Sequence, residues 1–476
     1  MLALISRQRR IVQAARALAT AAASPPLDVA VAPLLSWLNA CGADTSGVGV
    51  SRDARLGCWG LTAVRQSQPG ERLVFLPPSC LLSWDDGVNS LSPVLQRFVD
   101  AVPPERWTTR LGLVLLAECC KGEDSLFASY VTQLPAKHTG IPTFFSPAAV
   151  VALEYPPVAS EIARRSRFLL SFVRDVVGPS SPAAFGGLVD ANALAWATSC
   201  ATSRSFRVRG ASGPPSFLPL IDLCNHSFDN NCEVKALAGG GVELRAVRHV
   251  PAGAPLRLCY GLLSNDVLLL DYGFIVDGNP HDRVALQWSA PFIDFAREVA
   301  GLGGVSFGDP SHEDGASPAG VAASPWRTLI LEALRLAGPA ASLELLVGGD
   351  GLVDPRLLAA LRCLYCADES PFAGIPAEER APRLLAGTLP LPRPVERHAL
   401  ATAAAVCAVA LAQWPTTLEQ DVAASRGGAQ AEEDVRLATA FRMNKKRLLA
   451  AAVAGLKLRM AAPPNAHASS DAPINE

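Results

Sequence analysis

Charge is scarce in this 476-residue sequence, and its scarcity excludes one class of partner. Charged residues make up 18% of the chain, the formal net charge is −2, and the compact basic block is Lys445, Lys446 and Arg447. Nucleic acid is bound through a patch that neutralises several phosphates, and one short block does not form such a patch. We therefore expect no nucleic-acid partner.

Long apolar runs are also missing. The longest uncharged apolar run near the C-terminus, residues 399–414, is shorter than the roughly 20 residues that span a bilayer. It is rich in alanine, which favours a buried helix, and we expect no membrane association. Because half of the residues are hydrophobic, the chain can form two or three domains that each bury a core.

Cysteine is present, but not in the spacing of a metal site. The chain has 12 cysteines in irregular positions, and its one C-x-x-C pair is Cys363 with Cys366, in an apolar helical stretch. A structural zinc site needs four ligands, and no second pair accompanies this one. We expect no bound metal, and we interpret the cysteines as reduced, buried thiols.

Acidic residues are absent from the first part of the chain. Residues 1–26 contain none, and the first acid is Asp28. Four arginines alternate with apolar residues there, without the apolar core of a secretory signal, which is typical of an organelle transit peptide. This predicts a mitochondrial or chloroplast protein, and the arginine-rich, serine-poor composition favours the mitochondrion. The alternative is a disordered tail on a cytoplasmic or nuclear protein.

Residues with strand propensity occur in two separate parts of the chain. Short β-prone pieces with tight turns fill residues 48–85 and 205–275, and helical patterns fill residues 90–203 between them. Asp190 has the side chain and position of a helix N-cap. We predict an α+β domain over residues 30–285 whose two strand-rich halves are separated by a helical insertion.

The rest of the chain is helical in pattern. Residues 286–460 predict an all-α second domain, which contains a Gly/Ser/Ala/Pro-rich loop over residues 301–324. Residues 461–476 are polar and proline-containing, and predict a disordered tail.

One apolar segment ends in a polar cluster that is a candidate binding site. Asp222, Asn225, His226 and Ser227 follow a strand-like run that begins at Leu218. At the end of a strand, amides and carbonyls are released from the ladder and can turn towards a ligand. The alternative is a turn in which the Asn and Ser side chains satisfy the local backbone.

Tyrosine is scarce, with five residues in the chain, yet Tyr260 and Tyr272 lie close together in sequence, just before Phe274. A tyrosine hydroxyl at the floor of an apolar channel can orient an incoming amine. The alternative is a pair of ordinary core tyrosines with hydrogen-bonded hydroxyls.

Several short motifs occur in a fixed order and together carry a family resemblance. They are residues 57–63 (GCWGLTA), 125–130 (SLFASY), 203–206 (SRSF), 225–227 (NHS), 260–261 (YG), 272–274 (YGF) and 279–282 (NPHD). In this order they resemble the SET domain, in the subgroup of the plant Rubisco large-subunit lysine methyltransferases. The resemblance covers about residues 30–460, and it departs from the family pattern at Cys58 and Trp59, where small or basic residues are commoner.

The resemblance implies S-adenosylmethionine as the cofactor and assigns its contacts. The backbone at Gly60 and Leu61 would lie against the cofactor, and Arg204 would bind its carboxylate. Asn225 would take the ammonium through its side-chain carbonyl, and the backbone of His226 would read the adenine edge.

The resemblance also implies the acceptor side of the site. Tyr272 would be the catalytic residue, because it would hold the amine in line for transfer close to the cofactor methyl group. Tyr260, Asp222 and Phe274 would contact the substrate. A general-base role for His226 is the alternative to its backbone role.

The implied function is a lysine N-methyltransferase that acts on a non-histone protein as a monomer, with the helical domain holding the protein substrate. Three alternatives stay open: a histidine acceptor, a non-catalytic protein-interaction module with the SET shell, and a helical scaffold unrelated to methylation.

Overall fold

The computed structural model describes residues 27–53, 55–84, 91–208, 213–305, 324–338, 341, 343–349, 351–427 and 432–462. The predicted transit peptide, most of the predicted loop over residues 301–324 and nearly all of the predicted tail lie outside the described residues. Two compact units are present: Met1–Ser146 with Pro156–Phe274, and Pro147–Tyr155 with Ile275–Glu476. The sequence did not indicate that a segment inside the helical insertion belongs to the second unit.

Short strands form the framework of the first unit. They are β1 Val48–Arg52, β2 Trp59–Ala63, β3 Arg72–Leu76, β4 Ser205–Phe206, β5 Ser216–Phe217, β6 Asn225–His226, β7 Cys232–Ala236, β8 Val242–Ala246 and β9 Arg257–Leu258. β1 pairs with β2 and β4 with β5, both antiparallel, and β3, β8 and β7 form an antiparallel sheet in that order. β6 and β9 run parallel, with Asn225 opposite Arg257 and His226 opposite Leu258.

The pairing of β6 with β9 brings the two candidate motifs together. β6 is the Asn225–His226 pair itself, and β9 ends two residues before Tyr260. Neighbouring strands lie about 4.8 Å apart, so residues more than thirty positions apart in sequence become neighbours. Three consecutive glycines, residues 239–241, form the turn that connects β7 to β8, and Gly240 has a φ of 79° that suits glycine.

In sequence order, helices precede, separate and follow these strands. They are α1 Leu27–Ala40, α2 Pro93–Ala101, α3 Trp107–Lys121, α4 Ala128–Val131, α5 Pro147–Ala152, α6 Pro156–Phe172, α7 Ser181–Phe185, α8 Ala191–Arg204 and α9 Asn265–Val267. Except for α5, which belongs to the second unit, these lie in the first unit. The predicted N-cap is confirmed, because the Asp190 side chain accepts a hydrogen bond from Ala193 N at 2.8 Å. α8 therefore begins at a defined residue and delivers Arg204 at its last position.

The second unit is largely helical. Its other helices are α10 Ala290–Val299, α11 Pro325–Ala333, α12 Pro355–Tyr365, α13 Ala377–Ala386, α14 Arg393–Ala412, α15 Leu418–Gly427 and α16 Glu433–Ala461. The predicted fold class, a strand-containing domain followed by a helical region, is confirmed. One strand pair was not predicted: β10 Val284–Gln287 pairs antiparallel with β11 Glu344–Val347. Each strand has four residues, which is too short for a periodic pattern to stand out.

α14 contains most of the alanine-rich run that the sequence singled out. By length and composition it is the one described helix that could cross a membrane, but most of its apolar window is buried inside the unit. The prediction of a buried helix is therefore confirmed. Cys363 and Cys366 are both buried free thiols at the end of α12.

Two residues of the basic block, Lys445 and Lys446, are internal, whereas Arg447 is exposed and pairs with Asp277. Lys445 and Lys446 are 0% exposed, and each Nζ contacts a buried carboxylate: Asp282 Oδ1 at 2.7 Å and Asp421 Oδ2 at 2.6 Å. Buried charges are tolerated when they are paired and hydrogen-bonded. These two lysines are therefore committed to the core of the second unit and cannot contact phosphates.

Candidate active site

The backbone of β2 forms one wall of the candidate site. A Cβ placed on Gly60 would lie 2.5 Å from Asn225 Nδ2, a separation that real Cβ atoms do not show, so any larger residue here must displace the Asn225 carboxamide. Asn225 Nδ2 donates to the carbonyl of Trp59 at 3.1 Å, and Cys58 Sγ lies 3.6 Å from Asn225 Oδ1. The carboxamide is thus fixed against β2, with its oxygen on the side of the Cys58 thiol.

Leu61 follows Gly60 in β2. Its side chain is fully buried, and its carbonyl accepts a hydrogen bond from Leu256 N at 2.8 Å. A direct contact between Leu61 and a cofactor stays a prediction, as do the other assignments of contacts to cofactor or substrate.

Arg204 and Asp222, three residues before Asn225, form an ion pair in which the carboxylate is buried. Arg204 Nη1 contacts Asp222 Oδ2 at 3.3 Å and the Asp222 carbonyl at 3.4 Å, and the Tyr130 hydroxyl donates to Asp222 Oδ2 at 2.9 Å. Burial raises the pKa of Asp222 above its ordinary value, although Arg204 and Tyr130 oppose it. Burial alone would lower the pKa of Arg204, but the charge of Asp222, with smaller effects from Tyr130 and Cys200, raises it overall.

Arg204 still has unused hydrogen-bonding capacity. A guanidinium has five N–H donors, and the described contacts of Arg204 use Nη1 alone. Its side chain is 22% exposed, whereas that of Asp222 is 2% exposed. Arg204 can therefore bind an anion while it remains paired, and Asp222 is placed to hold Arg204 more readily than to touch a substrate.

The His226 ring is engaged at one nitrogen. Nδ1 accepts from the backbone N–H of Tyr260 at 3.1 Å, so the proton of the neutral ring is on Nε2. Nε2 is buried and has no hydrogen-bond partner among the described residues. Burial lowers the pKa of His226, although the nearby Leu258 carbonyl opposes this shift. Neither nitrogen offers a lone pair to a substrate, which argues against the general-base alternative.

Aromatic rings surround His226 and form a second wall. The Tyr260 and Tyr272 rings stack with centroids 4.8 Å apart at an interplanar angle of 29°, and Phe274 lies 6.2 Å from Tyr272 and 6.1 Å from His226. The Phe228 ring meets His226 edge-on at 4.5 Å. The four ring residues that the sequence placed in the site, His226, Tyr260, Tyr272 and Phe274, come from three motifs and form one cluster.

The two tyrosine hydroxyls have different environments. Tyr260 donates to the Cys224 carbonyl at 2.6 Å, whereas the Tyr272 hydroxyl has no hydrogen-bond partner among the described residues. Burial, with the neighbouring charge of Asp271, raises the pKa of Tyr272 to about 12, so this side chain is a neutral phenol at physiological pH. It can donate or accept one hydrogen bond without carrying charge.

Gly273, directly after Tyr272, makes a close backbone contact with Gly140 that the sequence did not reveal. Gly273 has a φ of 78° and ends the turn that carries Tyr272, and a Cβ on Gly140 would lie 2.0 Å from the Gly273 carbonyl oxygen. Two glycines more than a hundred residues apart give no local signal of such a contact.

The segment around Gly140 is itself anchored to α8. Trp196 Nε1 donates to the Pro135 carbonyl at 2.8 Å, and His138 Nε2 lies 3.3 Å from Cys200 Sγ. Burial, with the charge of Arg204, lowers the pKa of His138 to about 4, so its ring is neutral at physiological pH. Nothing in the sequence indicated His138 or Cys200.

The arrangement joins two surfaces of different chemistry. Gly60 lies against Asn225, and Arg204 is paired with Asp222, three residues before Asn225. We call Gly60, Asn225 and Arg204 the polar cradle, and their groups suit a ligand that carries both charges. His226, Tyr260, Tyr272 and Phe274 form an aromatic wall with one unengaged hydroxyl. Tyr260 links them, because it bonds to His226 through its backbone and to Cys224, next to Asn225, through its hydroxyl. Among the described residues, no group of three or more His, Cys, Asp and Glu side chains is placed to hold a metal ion.

Two protein families match the chain. The SET domain matches residues 58–261, and the family described as Rubisco LSMT substrate-binding matches residues 324–449. The first match contains the cradle and Tyr260, and it ends before Tyr272 and Phe274.

Two kinds of protein are among the relatives of similar sequence. SET domain-containing protein 4 of Mus musculus is 30% identical over 246 residues, which cover 48% of this chain and 54% of that protein. Actin-histidine N-methyltransferase of Danio rerio is 26% identical over 265 residues, which cover 53% of this chain and 44% of that protein. The chain thus spans about half the length of the curated relatives that it matches.

Solved structures with a similar fold cover nearly the whole chain. A structure of Rubisco LSMT bound to sinefungin and monomethyllysine matches with a TM-score of 0.65 and 21% identity, over 92% of this chain and 93% of that one. The SET domain of LSMT bound to lysine and AdoHcy matches with a TM-score of 0.64 and 20% identity, over the same shares. The chain therefore has a SET domain and a Rubisco LSMT substrate-binding domain, in the fold of LSMT-like SET proteins.

Proposed function

We propose that this protein is an S-adenosylmethionine-dependent protein methyltransferase whose acceptor is a lysine side chain of a non-histone protein. The observation that carries the proposal is the pairing of the polar cradle with the aromatic wall, at which the Tyr272 hydroxyl lies unengaged by any described residue. The similarity to LSMT structures bound to AdoMet, and to lysine with AdoHcy, supports the same function.

The residues of the cradle fit the charges of the cofactor. S-adenosylmethionine has a carboxylate and an ammonium at one end, and its sulfonium supplies an electrophilic methyl group. Arg204 has unused N–H donors for the carboxylate, and Asn225 Oδ1 is an acceptor for the ammonium. Gly60 leaves room beside Asn225 that any larger side chain would fill. The backbone of His226 is in β6, next to Asn225, where it can meet the adenine edge.

The aromatic wall suits the acceptor. The stacked rings of Tyr260 and Tyr272 keep water from a bound amine, and a dry apolar environment lowers the pKa of a lysine, which must lose its proton before transfer. The neutral Tyr272 phenol can accept or donate one hydrogen bond and so hold the amine in line. Phe274 closes the aromatic wall beside Tyr272.

A histidine acceptor is the second candidate, and the actin-histidine N-methyltransferases among the relatives favour it. An imidazole is planar and could stack on the rings of the same wall. Mapping the methylated residue by mass spectrometry distinguishes the two acceptors directly.

The cofactor assignment is tested by calorimetric titration of S-adenosylmethionine into the purified protein. We expect saturable binding that Arg204→Ala weakens, because the variant loses the carboxylate contact. An absence of binding at millimolar cofactor would refute the proposal, and an unchanged affinity in the variant would refute the role of Arg204.

We also propose that residues 1–26 direct the protein to an organelle, with the mitochondrion favoured, and that it acts as a monomer. Fusing these residues to a fluorescent protein should send the fusion to that organelle. A fusion that stays in the cytoplasm and nucleus would leave the segment as a simple tail.

A further inference from the structure

We infer that Arg165, in the helical insertion of the first unit, is a positioning residue that holds Tyr272 in place. The effect of Arg165 on methyl transfer rests on the function proposed above, but its role in holding the turn that carries Tyr272 does not. Arg165 lies on α6, more than a hundred residues before Tyr272 in sequence, and no motif marks it.

Tyr272 is carried by an unusual piece of backbone. After α9 the chain forms a π-turn over Leu268–Tyr272, which Gly273 ends. Such wide turns are rare, and the carbonyls at the end of a helix lack donors from the helix itself. Asp271 also places a carboxylate at this C-terminal end, where the partial negative charge of the helix disfavours it. The turn therefore needs a cation and extra donors.

Arg165 supplies both. Its Nη1 donates to the Leu270 carbonyl at 3.1 Å and to Asp271 Oδ1 at 2.7 Å. These acceptors belong to Leu270 and Asp271, the two residues immediately before Tyr272. A charged hydrogen bond is shorter and stronger than a neutral one, so the guanidinium fixes the turn at the position next to the phenol.

The arginine is itself held. Arg165 Nε donates to Glu161 Oε1 at 2.8 Å, one helical turn earlier on α6, and Arg106 approaches the same carboxylate at 3.8 Å. The Arg165 side chain is 26% exposed, so it is packed between the helix and the turn. A lysine could replace the Nη1 contacts but not the Nε contact, because it has a single nitrogen.

Loss of Arg165 would affect Tyr272 in two ways. The turn would lose its donors, and the charge of Asp271, which already contributes to the raised pKa of Tyr272 after burial, would stand uncompensated beside the phenol. The Tyr272 ring lies 4.8 Å from that of Tyr260, so even a small rotation changes where the hydroxyl points. Transfer reactions are sensitive to such changes, because a misplacement of about 1 Å can cost roughly a hundredfold in rate.

Arg164 is a matched control on the same helix. It is bonded to the same carboxylate, through Nε at 2.6 Å, its side chain is 61% exposed, and it makes no described contact with the turn. Arg164→Ala thus removes one guanidinium from Glu161 and leaves the turn untouched.

The first test reads the position of the tyrosine rings and does not depend on activity. The full chain is labelled with fluorotyrosine, and its five tyrosine resonances in fluorine NMR are assigned by single Tyr→Phe changes. Arg165→Ala should shift or broaden the resonances of Tyr272 and Tyr260 and leave those of Tyr155 and Tyr365 in place. A spectrum that matches the wild type, or the same change in Arg164→Ala, would overturn the inference.

The second test separates positioning from binding. With wild-type protein that transfers a labelled methyl group, Arg165→Ala should lower kcat by about ten- to a hundredfold while the Kd for S-adenosylmethionine stays within about twofold. The kcat of Arg165→Lys should lie between those of the wild type and Arg165→Ala. If Arg165→Ala does not fold, Arg165→Lys takes its place in the test. Unchanged kcat, or an equal loss in Arg164→Ala, would contradict the positioning role. If wild-type protein transfers no methyl group, the proposed function fails, and the fluorine spectra still decide the role of Arg165.

Discussion

Both units of this chain bury charged and polar side chains, but the units differ in how fully those side chains are paired or hydrogen-bonded. In the second unit, Lys446 contacts Asp421, Glu154 and the hydroxyl of Thr416, and Arg442 contacts the same two carboxylates. In the first unit, Arg204 has unused donors, and His226 Nε2 and the Tyr272 hydroxyl have no hydrogen-bond partner among the described residues.

This difference distinguishes polar groups that stabilise the fold from polar groups that are available to bind a ligand. Unpaired polar groups are costly in an interior, so a core satisfies them internally. The cluster of the second unit does so and ties the segment Pro147–Tyr155 to α16. The first unit keeps spare bonding capacity at Arg204, His226 and Tyr272, which a ligand with matching groups would satisfy.

Removal of one charge from the second unit should be strongly destabilising. Lys446→Met would leave Asp421 and Glu154 with Arg442 as their remaining cation in the cluster, and breaking a buried pair costs about 3–5 kcal/mol. Urea denaturation of the two proteins measures this loss. Lys457→Met, at an exposed position on the same helix, should change the free energy of unfolding by less than about 0.5 kcal/mol. Equal stabilities of the two variants would break the contrast.

Removal of one hydroxyl from the first unit should cost activity and little stability. Tyr272→Phe deletes the unengaged hydroxyl, so we expect kcat to fall about 10²–10³-fold, as when one aligned donor is lost, with cofactor affinity retained. Tyr365→Phe is the control, because that hydroxyl bonds to Thr402 at 2.7 Å in the second unit. Full activity in Tyr272→Phe would show that the role assigned to this residue is wrong.

His138 should make the first unit sensitive to acid. Its folded pKa is about 4, below the ordinary value of 6.5, so the unfolded chain binds the proton more tightly. The stabilisation is fully present above pH 6.5 and is lost as the pH falls towards 4, which amounts to about 2 kcal/mol by pH 5. Unfolding free energies at pH 7.5 and 5 should therefore differ less in His138→Gln than in the wild type. An identical pH dependence would exclude His138 as the cause.

A single methyl group at the cradle should weaken the cofactor. In Gly60→Ala the added Cβ collides with Asn225, so we expect the Kd for S-adenosylmethionine to rise about tenfold, equivalent to about 1.4 kcal/mol. Gly49→Ala, on the paired strand β1, is the control, because a Cβ there meets Thr62 at an ordinary 3.5 Å. If both variants bind with wild-type affinity, Gly60 does not shape the cradle.

Much of this architecture could be predicted from sequence, because the signals are local. The Asp190 cap, the glycine turn at residues 239–241 and the buried alanine-rich helix all follow from residue types within one element. The candidate site residues were found by motif order, and the structure brings them into two adjoining surfaces.

The missed features depend on contacts between distant segments. The Gly140–Gly273 contact, the hold of Arg165 on the π-turn and the burial of Lys445 and Lys446 each join residues from different elements. A buried lysine and an exposed one look identical in a sequence, and a turn does not reveal which helix supplies its cation. Sequence patterns specify elements more directly than they specify which elements meet.

Methyl transfer at the aromatic wall can be tested by labelling proteins in an extract. Purified protein and S-adenosylmethionine with a labelled methyl group are added to an organelle extract, and the labelled site is mapped by mass spectrometry, with Tyr272→Phe in parallel. We expect label on a lysine Nε of a protein with the wild type and almost none with Tyr272→Phe. Saturable cofactor binding without any labelled protein, or equal labelling by both proteins, would contradict it.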